Sequence, residues 1–219
     1  MTYAANTISE PRDKTYRETM GNRLITFYDI MTLNSYYKCS CPEKLDCKNG
    51  GVPNPSKCSE CFCPDGYGGK LCDDAPMFSK KLMAEETWKN FTISFGFPGL
   101  VEIEFKRATV FIEAPKNATI QVQVTEIQGF ECWPGRCIFN GYEVKYMGDP
   151  RIMNPLFCCK DQPLWNTIHT SKLNPTPVIL YTKYARQKQI LTLRYRFLDQ
   201  NLADLPRRNN TYDSFEYPI

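Results

Sequence analysis

The chain has 219 residues, with 27 lysines and arginines against 24 aspartates and glutamates, which gives a net charge of +3. This charge is too small to indicate nucleic acid or an anionic membrane as the partner. The length suits one or two compact domains with small modules. No run of about 18 apolar residues occurs, so the sequence predicts no membrane span.

The first regular element is predicted to be a helix. Between Thr26 and Tyr37, apolar residues recur at helical spacing. Thr26 is a suitable N-cap, and Asp29 places a negative charge near the positive end of the helix three residues later. The pattern predicts one helix of about three turns.

A cluster of six cysteines lies between positions 41 and 72. A segment this short cannot enclose a hydrophobic core, so disulfides must supply most of its order, and it belongs to an oxidising compartment. Cys58 and Cys61 have zinc-site spacing, but neither a second such pair nor histidines follow, which favours disulfides. Cys39 precedes the cluster as an unpaired eleventh cysteine. The cluster consists of Cys41, Cys47, Cys58, Cys61, Cys63 and Cys72.

Three N-glycosylation sequons also indicate a secreted protein. They begin at Asn90, Asn117 and Asn209. The residues that follow Met1 lack the basic and apolar regions of a secretory signal. Because the cysteines and the sequons both require secretion, we expect that Met1 is not the natural start of the protein.

The region from Trp88 to Phe197 alternates apolar and polar residues, as half-buried strands do. Turn residues such as Pro98-Gly99 and Asn174-Pro175 separate the strands. Several one-sided strands without a convincing helix predict a two-sheet sandwich and a mainly β fold class. The alternating stretches are Val101–Phe105, Ile120–Val124, Tyr142–Tyr146 and Leu191–Phe197.

Three tryptophans, Trp88, Trp133 and Trp165, lie in this β region. Inside a sandwich they would pack the core, and on its surface they would serve as anchors for a binding partner. Of these two interpretations we favour core packing.

The cysteine spacing resembles that of an EGF-like module. In such modules the fourth and fifth cysteines are one residue apart, as in Cys61-Phe62-Cys63. The residues before Cys41 provide no carboxylate, so we expect no calcium in this module. The resemblance implies the disulfides Cys41–Cys58, Cys47–Cys61 and Cys63–Cys72.

A second resemblance rests on Met1-Thr2-Tyr3, on Gly21-Asn22-Arg23 and on the stretch from Asn34 to Cys39. These segments are similar to the end of an astacin-type zinc metalloprotease domain. The resemblance implies that Met1 lies in the methionine turn under the zinc. It also implies that Tyr3 is a zinc ligand at rest and a hydrogen-bond donor to the oxyanion during catalysis. Cys39 would pair with a cysteine far upstream, while Thr2 and Asn22 depart from the usual histidine and glutamine.

The β region resembles the divergent CUB domain of nematode astacin-like proteases. A bridge between adjacent cysteines is strained, so we favour two cross-links from Cys158 and Cys159 to the earlier cysteines, with the pairing left open. Glu143 and Asp149 are weak candidates for calcium ligands, since charges on strand faces and turns are usually solvated. The segments that carry the resemblance are Cys132 to Cys137, Gly141 to Lys145, Phe157-Cys158-Cys159 and Pro177-Val178-Ile179.

The family's chemistry requires zinc. A complete enzyme holds the metal with three histidines of a His-Glu-x-x-His-x-x-Gly-x-x-His helix, whose glutamate activates water. This chain has one histidine, His169, and lacks that motif. We therefore expect no cofactor in this chain and no peptidase activity from it alone. We interpret His169 as a surface or strand residue.

Taken together, these patterns predict the C-terminal portion of a secreted, extracellular zinc metalloendopeptidase. Its modules would bind protein substrates or extracellular matrix proteins, with no nucleic-acid partner. The alternative is a non-catalytic secreted EGF-CUB binding protein. The predicted parts are a protease remnant at 1–39, an EGF-like module at 40–73, a linker at 74–87, a CUB-like domain at 88–198 and a polar tail at 199–219.

Overall fold

The computed structural model describes residues 10–96, 98–99, 101–133 and 136–199. Met1, Tyr3 and Asn209 lie outside these ranges. The elements, in chain order, are a short 3-10 helix Lys14–Tyr16, α1 Phe27–Tyr36, β1 Val52–Pro53, β2 Cys61–Phe62, β3 Lys80–Met83, β4 Lys89–Phe95, β5 Val101–Glu113, β6 Ala118–Gln128, β7 Asn140–Val144, β8 Leu156–Phe157, β9 His169–Thr170, β10 Thr176–Tyr184 and β11 Gln189–Asp199.

Helix α1 begins with a reciprocal cap. The Thr26 hydroxyl accepts a hydrogen bond from the Asp29 backbone N–H at 3.2 Å, and the Asp29 carboxylate accepts one from the Thr26 backbone N–H at 2.9 Å. These two bonds satisfy N–H groups that a helix start leaves without partners. The helix predicted from the Thr26 signal is present, and it ends one residue before Tyr37.

The disulfide module, defined as residues 41–72, has little regular structure. Strands β1 and β2 form a two-stranded antiparallel ladder in which Val52 pairs with Phe62. Disulfides hold the remainder of the module, which has almost no apolar interior. They join Cys41 to Cys58, Cys47 to Cys61 and Cys63 to Cys72, the pairing stated above for an EGF-like module.

Two facing sheets form the main body, which we call the sandwich. One sheet has the order β3-β5-β10-β7-β8, with β3 parallel to β5, and the other has the order β4-β11-β6-β9. The fold is therefore mainly β, as predicted. Fully buried aliphatic residues from the inner faces fill the space between the sheets, including Val110, Ile112, Ile120, Val122, Val124, Val178, Leu180, Leu191 and Leu193.

Two features of the sandwich differ from the sequence pattern. Strand β3 lies inside the segment 74–87 that the sequence assigns to a linker, so part of that segment belongs to a sheet. Strand β7 reads as one-sided, but all five of its residues are buried. The outer face of this sheet is covered by residues from far earlier in the chain, a contact that alternation cannot reveal.

The outer face of the five-stranded sheet has its own small core. Tyr181 projects from β10 into a buried cluster with Leu156, and Leu24 of the N-terminal part packs against them. The Tyr181 hydroxyl donates a hydrogen bond to the Cys137 carbonyl at 2.9 Å. The cluster also contains three of the four cysteines of the sandwich disulfides, which join Cys132 to Cys159 and Cys137 to Cys158.

Candidate functional site: the joint between three parts

The N-terminal segment, defined as residues 10–39, packs directly on the sandwich. Thr19 is 6% exposed, and its hydroxyl accepts a hydrogen bond from the Leu156 backbone N–H at 2.8 Å. The Tyr16 hydroxyl donates one to the Met153 carbonyl at 2.9 Å. Burial is the main cause that raises the pKa of Tyr16 to about 12. The segment is thus part of the packed structure.

Helix α1, which belongs to this segment, packs on the disulfide module. Phe27 is 4% exposed, and its ring stacks on that of Phe62 with the centroids 5.1 Å apart. On the next position, the Tyr28 hydroxyl donates a hydrogen bond to the Asp149 carboxylate at 2.9 Å. Arg151 pairs with the same carboxylate at 2.8 Å, and these hydrogen bonds, with that from Arg151 the largest, lower the pKa of Asp149 to about 2.

Contacts of the disulfide module with the sandwich include one aromatic residue and one glycine. Tyr67 is 5% exposed, contacts Phe111 edge to face at 6.0 Å, and donates a hydrogen bond to the Pro175 carbonyl at 3.1 Å. Burial raises the pKa of this tyrosine. Gly66 has φ +93°, and a Cβ there would lie 2.6 Å from Pro177. Only glycine therefore permits this approach.

A buried ion pair lies beneath the N-terminal segment. Glu143 and Lys145 are 4% and 2% exposed, and their charged atoms are 3.0 Å apart. The same carboxylate oxygen accepts the Asn154 backbone N–H at 2.6 Å, and the ammonium donates to the Ile152 carbonyl at 2.7 Å. Burial raises the pKa of Glu143, while Lys145 opposes that rise.

This pair corrects the expectation that Glu143 would be a solvated charge on a strand face. The carboxylate is enclosed and already bound to an ammonium, and Asp149 is held separately by Arg151 and Tyr28. Both candidates for calcium ligands are therefore occupied by cationic or hydroxyl partners of the protein itself.

The described residues do not fit a zinc site. His169 lies in β9, is 5% exposed and stacks on Tyr146 with the ring centroids 4.7 Å apart. Burial lowers its pKa to about 4, and its buried Nε2 lacks a hydrogen-bond partner. Within the described ranges, one group of three side chains has metal-ligating atoms close together, namely Cys132, Cys159 and Asp161. Both of these cysteines are in disulfides, so neither offers a thiolate.

Of the remaining predicted positions, the unpaired cysteine and two of the sequon asparagines lie at the surface. Cys39 is free and exposed, and Asn90 and Asn117 are exposed as a glycan acceptor must be. The tryptophans divide between the two interpretations. Trp165 packs against the core cluster, Trp133 is 52% exposed, and Trp88 lies half-buried on the outer face of the four-stranded sheet.

The residues that form the joint were missed by sequence reasoning. Tyr16, Thr19 and Tyr67 lie in short irregular segments, where no periodicity marks a buried side chain. A usable signal exists at Gly66, because the run Asp65-Gly66-Tyr67 is a turn whose aromatic residue must pack on something outside so small a module.

A small disulfide module and a β-sandwich with its own disulfides, joined by a packed helical segment, define a multidomain disulfide-bonded protein. In the part of the chain that the structure describes, no helix is long and apolar enough to cross a membrane. No protein-family model matches the chain.

Comparison with curated proteins identifies the family. The zinc metalloproteinase nas-17 of Caenorhabditis elegans is 41% identical over 225 residues, which cover all of this chain and 52% of that protein. The zinc metalloproteinase nas-16 of the same organism is 43% identical over 209 residues, or 94% of this chain and 46% of that protein. The chain belongs to this nematode family of astacin-type zinc metalloproteinases, and it spans about half the length of the relatives it matches.

Solved structures with partial similarity include CUB and EGF domains. The CUB1-EGF-CUB2 domains of rat MASP-1 match with a TM-score of 0.40 and 11% identity, over 60% of this chain and 46% of that one. The MASP-1 CUB2 domain bound to Ca2+ matches with a TM-score of 0.34 and 16% identity, over 52% of this chain and 96% of that one.

Proposed function

We propose that this chain is the C-terminal portion of a secreted zinc metalloendopeptidase, with an EGF-like module and a CUB-like sandwich that position the enzyme on protein substrates or extracellular matrix proteins. The observation that carries the proposal is the identity of 41% to a zinc metalloproteinase over the whole chain. Five disulfides in the structure support an oxidising, extracellular location.

Features of helix α1 support a place for further protease residues. Its outward side exposes large apolar side chains, including Leu33 at 50% and Tyr36 at 77%. The free Cys39 lies just beyond the end of the helix. Exposed apolar residues close in sequence to a free thiol favour contact of this side of the helix with another protein surface. The chemical work would remain outside these 219 residues, because a three-histidine site cannot be assembled from one histidine.

The 5′ end of the transcript tests the proposal directly. We expect the reading frame to continue upstream into a His-Glu-x-x-His segment and a secretory signal. A capped transcript that starts at Met1 would contradict the protease assignment and favour the alternative, a non-catalytic binding protein.

A chimera tests peptidase activity directly. The zinc-binding half of nas-17 joined ahead of this chain should cleave casein in a chelator-sensitive manner, while the 219-residue chain alone should not.

A further inference from the structure

The outer face of the four-stranded sheet presents two arginines and a tryptophan. Arg194 and Arg196 are alternate residues of β11, so both project from the same face. The Cζ atom of each guanidinium lies 4.6 Å from the centre of the Trp88 ring, within cation–π range. All three side chains are half-buried. We call the surface formed by these three residues with Gln121 and Gln123 the arginine face.

Neutral amides hold both guanidiniums in place. The Arg194 Nε–H donates to Gln123 Oε1 at 2.7 Å, and the Arg196 Nε–H donates to Gln121 Oε1 at 2.9 Å. The Gln123 amide is itself fixed by donation to the Asn166 carbonyl at 2.8 Å. The Gln121 amide is fixed by donation to the Thr170 hydroxyl of β9 at 3.2 Å. The side chains therefore form a connected row from β11 to β9 with fixed orientation.

The row leaves two positive charges without compensation. Among the described residues, neither guanidinium has a carboxylate within 4.0 Å, whereas Arg107 and Arg151 each have one. Each guanidinium uses its Nε–H on a glutamine, and its outer N–H groups form a fork that suits an oxyanion. Glutamine at positions 121 and 123 orients the guanidiniums without neutralising them, as a carboxylate there would.

We propose that the arginine face binds a sulfated polysaccharide. Alternate strand positions are about 7 Å apart, and both guanidiniums lie at the same Trp88 ring, so a polymer that carries several anionic groups can pair with both forks at once. The Trp88 ring offers an apolar plane beside the charges, which suits the C–H face of a sugar ring. The disulfides place the protein in a compartment where such polymers are available partners. This proposal does not depend on proteolytic activity.

One surface feature bears on access to the face. Asn90, the first residue of a sequon, pairs with Arg194 in the β4–β11 register and is exposed on the same side. A glycan on Asn90 would stand beside the arginines and reduce access for a long polymer. We therefore expect Asn90→Gln to bind at least as tightly as the unmodified sequence, and the binding experiment uses both backgrounds.

Calorimetric titration of the full chain with heparin tests the proposal. We expect Arg194→Gln with Arg196→Gln to weaken binding at least about tenfold, because both charged forks are lost. The matched control is Lys116→Gln with Lys188→Gln, which removes the same charge from exposed turn residues. It should change affinity by no more than about twofold, since exposed turn charges contribute only screened attraction.

Two further arms keep the result interpretable. Arg194→Lys with Arg196→Lys preserves the charge but removes the forks, so it should also weaken binding, by an intermediate factor. Desulfated heparin should bind far more weakly than heparin to the original chain. The proposal is overturned if the glutamine pair binds like the original, if the lysine-turn control loses as much affinity, or if desulfated heparin binds equally. Circular dichroism of each variant confirms that the sandwich remains folded.

Discussion

The buried pair of Glu143 and Lys145 allows a sharp test of the joint. Replacing Lys145 with methionine keeps a flexible apolar stem of similar length but removes the ammonium that lies 3.0 Å from the Glu143 carboxylate. The carboxylate stays enclosed, and its remaining hydrogen bonds from the described residues come from Asn154. The substitution therefore leaves an uncompensated charge at a site that is 4% exposed.

The expected loss follows from the general cost of such a change. Removing one partner of a buried ion pair costs about 3–5 kcal/mol. In a folded body of this size, each kcal/mol shifts the melting temperature by about 2–4 °C. We thus expect Lys145→Met to lower it by roughly 6–20 °C. An exposed lysine of the same sheet, Lys106, is the matched control, and Lys106→Met should change stability by no more than about 0.5 kcal/mol.

The loss should also depend on pH in a defined direction. Burial raises the pKa of Glu143 above its reference value of 4.5, and without Lys145 nothing equally strong opposes that rise. A carboxyl group whose pKa is raised by folding contributes stability below its unfolded pKa and loses it as the pH rises through the folded pKa. The deficit of Lys145→Met should therefore be larger at pH 8 than at pH 5.

Thermal unfolding of the oxidised protein, followed by circular dichroism, measures the melting temperature, and guanidinium unfolding at pH 5 and pH 8 measures the free energy of unfolding. The double variant Glu143→Gln with Lys145→Met removes both charges and retains an acceptor for Asn154, so it should recover most of the lost stability. Two results would refute the reasoning: a Lys145→Met deficit below about 1 kcal/mol, or a double variant whose deficit equals the sum of the single ones.

Two further predictions concern the same packed region. Thr19→Val leaves the Leu156 backbone N–H buried without an acceptor, so it should cost about 1–3 kcal/mol; the exposed Thr32→Val serves as control, and equal effects from the two would refute the contact. Burial lowers the pKa of His169 from 6.5 to about 4. Stability from this depressed pKa is present above pH 6.5 and lost as the pH falls through 4, by about 3 kcal/mol in total. His169→Phe should remove that component, and an unchanged pH slope in unfolding titrations would count against it.

Some elements of the fold can be predicted from local sequence alone. Thr26 and Asp29 predict the start of α1, and the structure shows both halves of the cap they form. This succeeds because a helix cap is a contact between residues three positions apart. The alternating stretch at Leu191 also lies inside a strand, β11, because its apolar face meets the other sheet while its polar face does not.

Other features could not be predicted from the sequence because they depend on contacts with residues distant in the chain. Seven consecutive residues of β10, from Thr176 to Thr182, are buried, and none of this follows an alternating pattern. The sequence pattern predicts that Glu143 and Lys145 face solvent. In the structure the loop around Asn154 covers them, and the N-terminal segment packs on that loop. Arg194 and Arg196 do follow the alternation, but their neutral partners on β6 become visible only with the register.

The joint also determines how rigidly the parts are connected. Each of three contacts fixes a different pair among the N-terminal segment, the disulfide module and the sandwich, so none of the three can rotate without breaking two contacts. On the proposed assignment, a catalytic portion attached through α1 would be held at a fixed orientation to the arginine face instead of on a flexible linker. The three contacts are Phe27 on Phe62, Tyr67 on Phe111, and Thr19 with Leu156.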